Sequence, residues 1–175
     1  MVAFTVAAAV QLQAICTMYD TCKNDLLQKG IYQWGAWGDN YPSREFAVSA
    51  INRREMFILC QGGEVVGAVV LNEEQSLEWN SINWQYLAGN VLIIHALVID
   101  PAYQNRGLGR QLLLHCEQYA RQNRYHCLRL DSFAGNEKAN RLYQQAGYCN
   151  SGTVLFDCKP EGNREYHCYE KLLFS

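Results

Sequence analysis

Apolar residues recur along this chain in two different periods. Val2 to Val6 is a short β-type run and predicts a first strand. From about Ala8 to Lys29, Val10, Ala14, Met18, Cys22, Leu26 and Leu27 trace one helical face, and Gly30 closes it. Ser43 before Phe46, Val48, Ala50 and Ile51 predicts an N-capped second helix ending near Arg54. Met56 to Cys60 and Glu64 to Leu71 read as two strands joined at Gln61-Gly62-Gly63, a hairpin signal. The polar stretch 72–90 predicts a long connection with at most one helical turn. Val91 to Ile99 is β-branched and apolar, which is strand chemistry. Cys127 to Asp131 predicts a further strand and Asn136 to Gln145 a helix stopped by Gly147. Val154 to Cys158 and Tyr166 to Leu172 predict a closing hairpin.

Chemistry enters at the join between Ile99 and the helix that follows. Asp100-Pro101 ends the strand, because proline supplies no ladder N–H. Gln104-Asn105-Arg106-Gly107-Leu108-Gly109 then turns the chain into a helix marked by Leu108, Leu112, Cys116 and Tyr119. Glycines at a helix start let a ligand approach backbone amides that have no partner within the helix, so a pyrophosphate fits there. The spacing is neither a nucleotide P-loop nor the Gly-x-Gly-x-x-Gly dinucleotide pattern. An ordinary strand-to-helix turn would look the same over these six residues alone.

Composition narrows the classes. The 175 residues, 49% hydrophobic and 18% charged, suit one globular domain over 1–175. A net charge of -2 without a basic cluster gives no footprint for nucleic acid or a membrane surface. The eight cysteines sit mostly within apolar patterns and form no C-x-x-C pair, so they read as buried free thiols in a reducing cytoplasm. The four histidines lack ligand spacing, and no metal site is expected. The apolar N-terminus has no basic leader, and Gln11 and Gln13 interrupt it, so a strand entering a helix is expected there rather than a signal peptide.

The turn Gln104-x-x-Gly107-x-Gly109 resembles the acetyl-CoA signature of the GNAT superfamily of N-acetyltransferases, Gln/Arg-x-x-Gly-x-Gly/Ala. A second segment, Arg129 to Tyr148, resembles that family's Asn-x-x-Ala-x-x-Leu-Tyr-x-x-x-Gly-Phe/Tyr motif through Asn136, Ala139, Leu142, Tyr143, Gly147 and Tyr148. The likeness covers about Met56 to Ser175 well and the first 55 residues loosely. It implies an α/β (α+β mixed) GNAT fold: a mixed, mostly antiparallel sheet of about seven strands, splayed at the cofactor cleft and flanked by about four helices. It also implies acetyl-CoA as cofactor. Backbone of Leu97, Val98 and Ile99 would pair with pantetheine, and amides of Asn105, Arg106, Gly107, Leu108, Gly109 and Arg110 would hold the pyrophosphate. Gln104 belongs to the same turn, and Asn136 would contact the cofactor. A bulge in the first of these strands would aim an amide at the thioester oxygen.

The resemblance further implies that Tyr143 is the general acid at the CoA sulfur; the other reading is packing with a satisfied hydroxyl. His95-Ala96-Leu97 is similar to arylalkylamine N-acetyltransferases, in which a histidine relays the amine proton, although the second histidine of that relay would fall at Ile93. Strand alternation would put His95 on the face of Leu97, unless a bulge intervenes. Asp131 competes as base, at the place where N-terminal-amine acetyltransferases carry a glutamate, and is expected in solvent as an ordinary carboxylate. Tyr32, Trp34, Trp37 and Tyr41, with Glu73, are candidate contacts to a cationic acceptor, as exposed aromatics beside carboxylates; roofing the core is the alternative. The expected acceptor is a small-molecule or amino-acid-like primary amine. Peptide or protein amines, or a non-catalytic CoA-binding sensor, are the rivals, and a homodimer is compatible with all of them.

Overall fold

The computed structural model describes residues 2–34 and 40–174. Its elements are β1 (Val2–Val6), α1 (Leu12–Gln28), α2 (Arg44–Asn52), β2 (Met56–Gln61), β3 (Glu64–Asn72), β4 (Val91–Ile99), α3 (Leu108–Gln122), β5 (Cys127–Phe133), α4 (Glu137–Gln145), β6 (Cys149–Leu155) and β7 (Glu165–Leu172). Short 3-10 turns lie at Ala9–Gln11, Leu77–Ser81 and Pro101–Tyr103. The seven strands are ordered β1-β2-β3-β4-β5-β7-β6. β4 and β5 pair in parallel at Val91 to Ile93, whereas β1–β2, β2–β3, β5–β7 and β6–β7 are antiparallel. This is the mixed, mostly antiparallel sheet with four helices that the resemblance implies.

Residue contacts divide the chain into two compact units, 1–71 with 95–115 and 72–94 with 116–175. In the first, α1 and α2 bury Ile15, Met18, Tyr19, Ala47 and Ala50 with Met56, Ile58, Ala68, Val70 and Val98 of the strands. The predicted face of α1 holds at Met18 and Cys22, which are buried; Ile15 and Tyr19 join it, while Ala14 is exposed and Val10 precedes the helix in solvent. Alanine and cysteine carry little positional signal, so the neighbouring bulkier residues decide which face packs. Ser43 caps α2 as expected, its hydroxyl accepting from the Phe46 amide at 3.2 Å.

In the second unit the core is built from Leu128 and Leu130 of β5, Cys168 and Tyr169 of β7, and Tyr143 and Tyr148. Its last hairpin corrects the expected strand at Val154 to Cys158: β6 runs from Cys149 to Leu155. β6 owes its place to pairing with β7, from Cys149 opposite Glu170 to Leu155 opposite Glu165. Val154 is its one buried residue, so an apolar count could not find it. All eight cysteines are free; Cys22, Cys116, Cys127 and Cys168 are buried, whereas Cys149 and Cys158 are exposed. Among the described residues no helix is long and apolar enough to cross a membrane.

Candidate active site

In the first unit the site residues gather at the end of β4. Ala96 has φ 47°, a conformation uncommon outside glycine, and it breaks the strand's alternation. His95, Ala96 and Leu97 are consequently all half-buried, where regular pleating would bury every second residue. The Tyr19 hydroxyl donates to the Ala96 carbonyl at 3.0 Å and holds the bulge. The alternation that would place His95 with Leu97 is thus lost, and the bulge expected of this strand is present. β3 lies close beside it: a side chain at Gly67 would meet Ile99 Cδ1 at 2.8 Å and the Val98 carbonyl at 3.1 Å.

The chain then turns under tight local control. Asp100 accepts from the Ala102 amide at 2.8 Å, and Gln104 Nε2 donates back to the Ile99 carbonyl at 3.0 Å. The Cys22 thiol reaches the same carbonyl at 3.6 Å, so of the three expected pantetheine partners Ile99 already has its acceptor engaged. Asn105 at φ 61° and Gly107 at φ 78° swing the backbone into α3. Nothing lies within 4 Å of where a Gly107 side chain would project. Asn105, Arg106 and Gly107 are exposed, Leu108 is buried as the anchor, and the first bond back to the turn runs from Gln111 to the Gly107 carbonyl at 3.0 Å. The amides of Leu108, Gly109 and Arg110 therefore have no acceptor in their own helix and stand at its positive end. A pyrophosphate fits these donors. Arg106 folds back onto the Ala102 carbonyl at 3.1 Å and over the Tyr103 ring.

The second unit assembles Asp131, Tyr143 and Asn136. β5 continues two residues past its predicted end, so Asp131 lies within the strand rather than at its tip. The Trp79 indole donates to its Oδ2 at 3.1 Å. Burial pushes the carboxyl up to about 6; the indole and the charge of Lys159 pull it back, and Glu78 adds to the rise. This corrects the expectation of an ordinary solvated carboxylate. On α4 the buried Tyr143 packs against Tyr148 and Tyr169, with ring centroids 6.2 Å and 5.7 Å away. Burial, and then Asp131, Cys116 and Tyr169, hold its phenol well above the ordinary range, so it keeps its proton at neutral pH. Asn136 caps α4, accepting from the Ala139 amide at 3.2 Å.

Residues that the sequence did not single out hold this arrangement. Asn140 Nδ2 donates to the Phe133 and Ala134 carbonyls at 3.0 and 3.2 Å, and its oxygen accepts from the Tyr169 hydroxyl at 3.2 Å, locking α4 to the two strands. Segment 72–90 carries the expected helical turn at Leu77–Ser81 with Trp79 buried inside it. Arg129 and Glu170 stand opposite each other in the β5–β7 register and form a buried ion pair. Each strand carries more than one charged residue, and the register that joins this pair is not readable locally.

The expected acceptor contacts divide. Trp34 is buried in the first unit's core, which corrects the exposed-aromatic expectation for it, and Tyr41, half-buried, packs on it and on Phe46. Tyr32 is exposed. Trp37 lies outside the described residues. Glu73 is exposed in the second unit and accepts from the Tyr125 hydroxyl at 2.7 Å.

Comparison with known proteins agrees with this geometry. The model of the acetyltransferase (GNAT) family matches residues 14–148. An uncharacterized N-acetyltransferase of Bacillus subtilis (strain 168), YhfO, is 38% identical over 58 residues, a match spanning 33% of this chain and 39% of that protein. A GNAT-family acetyltransferase of Streptococcus agalactiae 2603 superposes with TM-score 0.86 at 17% identity, over 99% of this chain and 96% of that one. The ribosomal-protein-S18-alanine N-acetyltransferase of Escherichia coli superposes with TM-score 0.70 at 18% identity, over 100% and 96% of the two chains.

Proposed function

The chain belongs to the GNAT acetyltransferase family, and on that footing we propose that it carries the acetyl group of acetyl-CoA directly onto a primary amine, small or amino-acid-like. The observation that carries the reading is the bulged β4 leading through Gly107, with open space beyond it, to the first-turn amides of α3. Acetyl-CoA supplies an acyl group already activated as a thioester. Amides of Leu108 to Arg110 bind its pyrophosphate, and the backbone at Leu97 and Val98 takes the pantetheine arm. Asp131 removes the proton that an ammonium acceptor must lose before its nitrogen can attack. A C–N bond forms, the C–S bond breaks, Tyr143 gives its proton to the departing sulfur, and the second proton shed by the nitrogen as it becomes an amide restores the phenol. Burial makes Asp131 a stronger base, and the Tyr143 phenol holds its proton at neutral pH.

A second reading, an amine on a polypeptide, draws on the Escherichia coli neighbour, whose name specifies a ribosomal protein alanine. Free thiol released from acetyl-CoA, measured against small amines, amino acids, an alanine-headed peptide and a lysine peptide, tests both. Release dependent on a small amine is expected. Release with peptides alone would move the acceptor to protein. A CoA-dependent rise in melting temperature without release for any amine would make the chain a sensor.

A further inference from the structure

Segment 72–90 is fixed at both flanks of its helical turn by one buried ion pair. Before the turn, Gln75 Oε1 accepts from Arg129 Nη1 at 2.8 Å. After it, the Gln85 amide donates to Glu170 Oε2 at 2.8 Å, the Tyr86 amide reaches both Glu170 oxygens at 3.4 Å, and the Tyr86 carbonyl accepts from Arg129. Between these anchors the Arg129 guanidinium lies 4.2 Å from the Trp84 ring, and Trp84 lies 5.3 Å from Trp79. The pinned loop places the Trp79 indole nitrogen 3.1 Å from Asp131 Oδ2 on β5.

We propose that Trp79 is a positioning residue for acetyl transfer: its N–H occupies one oxygen of Asp131 and leaves the other free for the acceptor amine, on a loop set by Arg129 and Glu170. This rests on the reading of Asp131 as the base. An indole is suited to the task by its chemistry. It has a single N–H, no acceptor and no charge, so it fixes the carboxylate's orientation without removing its basicity. A cation in the same place would stabilise the carboxylate far more and leave it a weak base near neutral pH. The other groups bearing on Asp131 are Glu78 from the same turn, Lys159 from the β6–β7 connection, Tyr143 from α4, and Cys168 opposite it on β7. Among these the indole supplies the hydrogen bond, and Lys159 acts through its charge.

Trp79→Phe keeps an aromatic ring and removes the donor. Two readouts on the full chain are compared with wild type: kcat/KM against pH, and the titration of the Asp131 carboxyl carbon by 13C NMR, assigned with Asp131→Asn. Loss of one neutral hydrogen bond should move both midpoints up by about half to one pH unit. A carboxyl titration identical in Trp79→Phe and wild type would overturn the proposal and return Trp79 to packing. The base reading fails by a different sign: an acidic limb that survives Asp131→Asn, whatever Trp79→Phe does to the carboxyl.

Discussion

Arg129 and Glu170 face each other across β5 and β7 and close a 3.1 Å ion pair, with both side chains withdrawn from water. Taking either charge out of water is costly, and the pair is tolerated because each partner also meets groups of segment 72–90. Arg129→Met should therefore destabilise by about 3 to 5 kcal/mol, the usual result of stranding a buried charge. The double variant Arg129→Met, Glu170→Met should recover part of that loss, because it strands none. Urea denaturation of both checks the relationship; equal losses would mean that the loop contacts, not the ion pair, dominate.

The turn into α3 makes a separate prediction. Gly107 sits at φ 78° with open space beyond it. Gly107→Ala should cost about 1 to 2 kcal/mol from the left-handed backbone alone and still bind CoA. Gly107→Glu adds a carboxylate where phosphate would lie, and should lose the thermal shift that CoA gives the wild type. That shift corresponds to about 2.7 kcal/mol at a ligand concentration a hundredfold above Kd. Thermal melts with and without CoA distinguish the two; a full shift in Gly107→Glu would leave this turn without a role in binding.

Tyr143→Phe keeps the ring contacts with Tyr148 and Tyr169 and removes the proton. CoA affinity should hold while kcat falls by about 100- to 10,000-fold, the usual contribution of a positioned acid. Steady-state rates within twofold of wild type would make Tyr143 a packing residue.

How far the sequence leads depends on the range of the signal. Elements defined by their own periodicity were legible: β4 and the Ser43-capped α2 fall where the pattern puts them. The turn at Gly107 was likewise legible, since it is encoded within a few residues. Features set by distant partners were not. β6 exists through its register with β7, Asp131 is perturbed by an indole 52 positions away, and Arg129 meets Glu170 only once two strands pair. The β4 bulge was expected from the family resemblance alone: alanine carries no preference for φ 47°, and Tyr19 stabilises it from α1.

Asp131 should also leave a mark on stability. Its folded-state value is about 6 against an ordinary 3.8, so above pH 6 the fold carries a partly buried charge that the unfolded chain does not penalise. Below pH 3.8 the group is protonated in both states and contributes nothing. Asp131→Asn should accordingly be more stable than wild type by about 1 to 2 kcal/mol at pH 8, after allowance for partial solvent screening. The advantage should shrink as pH falls from 6 towards 4. Denaturation at pH 8 and pH 4.5 reads it directly; an advantage that does not change with pH would show that Asp131 titrates normally.

The most direct test of the account is kcat/KM against pH for wild type, Asp131→Asn and His95→Gln, with whichever amine supports turnover. The ionised carboxylate is the working form, so the wild-type rate should fall as pH drops through about 6. Asp131→Asn should lose that limb together with about 100- to 10,000-fold of the rate. His95→Gln should keep the limb. If the limb persists in Asp131→Asn and vanishes in His95→Gln, the proton leaves through the histidine and the assignment of Asp131 as base is wrong.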